Sequence, residues 1–166
     1  MDNSLAARIV FALARYTAIA GGLVLALVAA VTLISVVGRV FIPIGLSPVP
    51  GDVELVEAGV LFAVFAFLPW CQLTRGHAIV AIVTDRFGAR INTVIVFLTD
   101  VAMLALAAFI AWRHWAGMID KLQYMETTFI LRVPLWWSFA ASMLGAFVFI
   151  VVAAYCVVRS AAAMAS

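Results

Sequence analysis

GDVELVEAGVLFAVFAFLPWCQLTRGHAIVAIVTDRFGAR, residues 51–90, opens with carboxylates at Asp52, Glu54 and Glu57 and then runs seventeen residues, 58–74, without a charge. It closes on Arg75, Gly76 and His77 before a second, shorter amphipathic segment. An acidic start, an apolar run of that length and a basic end describe a helix that crosses a bilayer with both of its ends marked. Glu54 and Glu57 stand three apart and so share a helical face, where the positive end of the helix dipole favours them. The pair reads either as a cap region in water or as a polar contact with another membrane subunit.

Working outward, the whole chain has the same character. Of its 166 residues 67% are hydrophobic and 11% charged, where a soluble domain carries nearer half and a quarter. The class is an all-α integral membrane protein. Its net charge is +2 and its ten cations are scattered between apolar runs, so nothing tracks a phosphate backbone and nucleic acid is excluded as a partner. Arg8 and Arg15 precede an uncharged stretch at 16–38. That is longer than a signal-peptide core and fits a retained first helix. Cys71 and Cys156 make no CxxC and no metal-ligand spacing, and read as small apolar fillers on a reducing face.

Four spans follow, at about 16–38, 54–74, 91–112 and 134–158, in a single domain. Residues 1–15 place Leu5, Ile9 and Ala12 on one side and Arg8 and Arg15 towards the other, as in an interfacial helix. Ala18, Gly22, Ala26 and Ala30 recur every four residues in the first span, a row that lets a neighbouring helix come close. Pro43, Gly45, Pro48, Pro50 and Gly51 mark an extended connection. Pro69 leaves the carbonyl of Phe65 without its helical donor. Segment 78–90 carries Ile79, Ile82, Val83 and Phe87 on one face and is expected to lie flat on the membrane. Residues 113–133 read as a mixed amphipathic connection, and Pro134 opens the last span.

Asp100 falls near the middle of the third span. A carboxylate there costs about 2.5–3.5 kcal/mol on insertion scales and should face protein. Arg90 and Arg113 are each roughly 15–20 Å away along the helix, which leaves three options. Asp100 is protonated, or bonded to hydroxyls such as Thr99 or Ser142, or partnered from another subunit.

The cation count predicts both termini inside. Arg8, Arg15, Arg75, Arg86, Arg90 and Arg159 then face the cytoplasm, against Arg39, Arg113, Lys121 and Arg132 outside. Trp112, Trp115, Trp136 and Trp137 flank the second external loop, as an aromatic belt would. His77 and His114 fall on opposite membrane faces and cannot share a haem. No nucleophile–histidine–carboxylate set, phosphate loop or HExxH occurs. The chain is expected to be no enzyme and to hold no cofactor or metal.

In this order the motifs resemble the small membrane subunit, DctQ type, of tripartite ATP-independent periplasmic (TRAP) transporters. The resemblance rests on GDVELVEAGVLFAVFAFLPWCQLTRGHAIV, then ETTFILRVPLWW, then Gly145. The family shows an acidic residue, a long apolar run, G-H-I-x-V-D, and later P-L-W at its last span. Glu54, Gly76, His77, Val80 and Pro134 fit, while Ala78 stands for the isoleucine and Ala81 for the aspartate, so a role tied to that aspartate does not carry over. The resemblance implies a non-catalytic subunit of a bacterial inner membrane. It would pack as static scaffold beside a large, elevator-like transport subunit that moves an organic acid with sodium, after a periplasmic substrate-binding protein delivers it. Membrane lipid would surround both. Candidate subunit-contact residues are Gly22, Ala26, Glu54, Glu57, Arg75, Gly76, His77 and Asp100. The alternative is a self-contained four-helix proton-coupled exporter using Asp100. A membrane anchor for a redox enzyme is disfavoured by where the histidines fall.

Overall fold

The computed structural model describes residues 5–76 and 89–165. Among the described residues there are four long helices: α1 (Leu5–Val40), α2 (Asp52–Leu73), α3 (Ala89–Gln123) and α4 (Trp136–Ala165). All four are long and apolar enough to cross a membrane. Among the described residues there is no strand, only an isolated bridge between Thr127 and Pro134. This is the all-α, multi-pass membrane architecture that the apolar runs require.

The helices outrun the expected spans. Residues 5–15 do not lie apart as an interfacial segment but continue α1 into the bundle. Val10 and Ala14 are buried with Val152 and Cys156, and Phe11 meets Trp70 edge-on at 5.3 Å. Packing thus overrides the amphipathic pattern there. At 1.5 Å per residue the 36 residues of α1 reach about 54 Å, well beyond the ~30 Å hydrocarbon core. Likewise α3 does not stop near Trp112 but runs to Gln123, so residues 113–123 are helix rather than connection. The reason is visible in the spacing of Ala107, Ala111 and His114, which are all buried on one face. Between α1 and α2, residues 42–44 form a short 3-10 turn that ends on Gly45 in the left-handed region.

Neighbours in sequence run antiparallel. Arg39 meets Asp52 across α1 and α2, and Phe65 meets His114 across α2 and α3. Across α3 and α4 the pair is His114 with Ser142. Helix α4 is the axis of the bundle: it packs on α2 and α3 and more lightly on α1. Of its apolar window 44% is buried, against 11% for α1. Leu23, Leu27, Leu33 and Ile34 of α1 stay 61–67% exposed, as side chains that face lipid or another membrane protein do.

A close helix approach coincides with the proline. Pro69 is buried inside α2 and lacks the N–H that the Phe65 carbonyl would accept. Helix α4 meets that carbonyl at Gly145, where a Cβ would stand 2.6 Å from the Phe65 oxygen. Glycine is therefore required at 145 for contact, not for backbone freedom.

Candidate functional site: polar groups at the two ends of the bundle

The bundle has a loop end, with residues 41–51 and 124–135, and an end where the termini, the close of α2 and the start of α3 meet. At the loop end, Arg39 of α1 donates to Asp52 of α2 at 2.8 Å, and Ser35 donates to the same carboxylate oxygen. Asp52 also accepts the Val53 N–H at 2.9 Å, one of the backbone donors left free at the start of α2. Glu54 reaches across to the other loop. Its two oxygens accept the backbone N–H groups of Ile130 and Leu131, at 2.7 and 2.9 Å. Within that loop Thr128 N donates to Val133 O, and Val133 N donates to Thr128 Oγ1. Lys121 pairs with Glu126 at 2.6 Å.

Glu54 and Glu57 therefore do not act as a pair. Glu54 is a clamp on the chain's own loop, and Glu57 is exposed. Three residues of separation put them on one side of α2, but only Glu54 meets the loop packed there.

At the other end Asp100 is buried and has partners in this chain. Arg75 Nη2 lies 3.4 Å from one carboxylate oxygen, and Gln72 Nε2 lies 3.4 Å from the other. The hydroxyls of Thr99 and Ser142 are not what the fold turns towards Asp100. Thr99 bonds the Ile95 carbonyl, and Ser142 bonds the carbonyls of its own helix and His114. Along α3 alone the nearest cations to Asp100 are Arg90 and Arg113. Because α3 extends to Gln123, Asp100 sits in its first third, level with the close of α2. Gln72 Oε1 is left buried without a partner.

The turn at 74–76 explains how Arg75 gets there. The Arg75 N–H bonds the Gln72 carbonyl, and the Gly76 N–H bonds the Cys71 carbonyl at 2.9 Å. That is a Schellman closure, whose left-handed residue is usually glycine. Here it is Arg75, at φ 52°, and not the glycine that follows it. A left-handed non-glycine residue costs about 1–2 kcal/mol, and the turn brings the Arg75 guanidinium to Asp100. Gly76 matters for room, since a Cβ would come 3.3 Å from Cys71 Sγ.

Of the remaining candidates, Gly22 has open space where a side chain would go, and Ala26 is exposed. Neighbouring Gly21 makes the internal contact instead, against Ala66. The small-residue row thus points away from the chain's own core. His77 and segment 78–90, except the first two residues of α3, lie outside the described residues.

Sequence reasoning missed His114. Its Nε2 lies 2.8 Å from Ser142 Oγ and 3.1 Å from the Phe139 carbonyl, which only accepts and so makes Nε2 the protonated nitrogen. Phe65 and Phe139 cover the ring, with centroids at 4.4 and 4.9 Å. Extending the helical period past Trp112 would have found it.

These polar groups are joined to one another within the chain, while apolar helix faces are left open. That is the arrangement of a subunit that packs in a membrane. No curated protein and no solved structure matches the chain significantly. The family profile of the DctQ component of tripartite ATP-independent periplasmic transporters matches residues 28–163, which takes in α2, α3 and nearly all of α4. The chain belongs to the DctQ family: it is a small membrane subunit of a TRAP transporter.

Proposed function

We propose that the chain is the fixed scaffold of its transporter, packing beside a large transport subunit that carries an organic acid with sodium. A periplasmic binding protein delivers the acid. In this reading the chain lies in the bacterial inner membrane with both termini cytoplasmic, performs no catalysis, and needs no cofactor or metal of its own. The observation that carries it is the state of the intramembrane acid. Asp100 is held by Arg75 and Gln72, where ion coupling calls for a carboxylate free to exchange its partner. That same contact speaks against the self-contained exporter.

The surface left for the large subunit is the open side of α1, where Gly22 and Ala26 let a helix backbone approach among lipid-level leucines. Glu57, exposed at the start of α2, and His77 stand as the polar candidates for that contact. The test is a tagged copy in its native host. A larger polytopic protein should copurify, and deletion should abolish uptake. Unimpaired uptake in the deletion strain would remove the scaffold role. Reporter fusions at Pro48 and Met125 should be active only with a periplasmic reporter, and cytoplasmic activity at either would invert the topology.

A further inference from the structure

Between the close of α2, the first turn of α3 and the last turns of α4 lies a half-open cavity of about 230 Å³, bordered by Arg75, Asn92, Thr93, Arg159 and Ser160. That is well above the ~10–15 Å³ a cavity needs to hold a single water. Its described lining holds two arginines and no carboxylate. Asp100 stands behind Arg75 and engages one of its nitrogens, which leaves the rest of a five-donor guanidinium for another acceptor. Among the described residues no carboxylate lies within salt-bridge distance of Arg159. Asn92 and Thr93 belong to the start of α3, where the helix dipole is positive. The Ser160 hydroxyl bonds the Cys156 and Val157 carbonyls, so it forms wall and not a donor.

We infer that this cavity binds a phosphate group, held between the guanidinium groups of Arg75 and Arg159 with the Asn92 amide as a third donor. Two arginines facing a half-open cavity, with a net positive charge after Asp100 is counted, match a tetrahedral oxyanion, and arginine binds phosphate through paired N–H donors. The phosphate is either the diester of a membrane phospholipid or a free inorganic anion from the adjoining aqueous phase. The inference is independent of the scaffold role.

The experiment takes the full chain, purified and stripped of lipid in detergent. Thermal unfolding is followed while phosphatidylglycerol is added in one arm and inorganic phosphate in another. The wild type should be stabilised in at least one arm. A response to the lipid alone identifies a headgroup site, and a response to inorganic phosphate identifies a free-anion site. Arg159→Gln should raise the half-saturating concentration by about tenfold, the loss of one charge-assisted contact, and Arg159→Lys should recover part of it. Asn92→Ala, which removes no charge, should weaken binding less. Arg8→Gln, outside the cavity, should bind as the wild type does. Stabilisation in neither arm overturns the site. So does an unchanged response in both Arg159→Gln and Asn92→Ala.

Discussion

The two ends of the bundle handle charge in opposite ways. At the loop end carboxylates join elements near the surface: Asp52 ties α1 to α2, and Glu54 ties α2 to the 124–135 loop. At the other end a buried carboxylate, with 6% of its side chain exposed, meets an arginine that is 43% exposed. The difference teaches which partner is replaceable. Asp52 keeps the Ser35 hydroxyl and the Val53 N–H if Arg39 is lost, so that pair can be broken cheaply. Asp100 keeps only Gln72 if Arg75 is lost, so there the loss is lopsided.

The largest expected effect tests that lopsidedness. Arg75→Ala leaves Asp100 buried with Gln72 alone, and should cost about 2–3 kcal/mol of resistance to unfolding in detergent. Asp100→Asn leaves Arg75 able to turn to water and relieves the buried charge, so it should cost less than about 1 kcal/mol. Equal losses in the two variants would mean that the pair is no more buried on one side than the other. Next comes Glu54→Ala. It removes the acceptor of two backbone N–H groups, and amide exchange at Ile130 and Leu131 should quicken by about tenfold or more, with little change at Asn92 or Thr93. Unchanged protection at those two amides would contradict the clamp. The smallest effect is expected from Arg39→Gln. Asp52 keeps Ser35 and its own Val53 N–H, so the melting temperature should stay within error of the wild type. A clear drop would show that the loop end depends on that pair after all.

Much of the fold was legible because bilayer thickness writes itself into a sequence as uncharged runs about twenty residues long. The charged residues that bound those runs did not mark where the helices stop. Arg15 and Arg113 sit within α1 and α3, since a helix can leave the hydrocarbon and carry on. The contacts of the site were hidden for a different reason. Glu54 meets Ile130 and Leu131 from 76 and 77 residues away, and backbone donors leave no trace in side-chain identity. Arg75 meets Asp100 from 25 residues away, and its reach depends on a left-handed turn that sequence patterns assign to glycine. The family, in contrast, was readable from the order of Glu54, Gly76, His77 and Pro134 along the apolar runs.

The scaffold role stands or falls on whether this chain moves anything alone. Reconstituted by itself in liposomes under a sodium or proton gradient, it should show fluxes of organic acids and cationic drugs at the level of empty vesicles. Adding the large subunit and binding protein should restore organic-acid uptake. Robust gradient-driven flux by the chain alone, lost in Asp100→Asn, would make it a transporter in its own right.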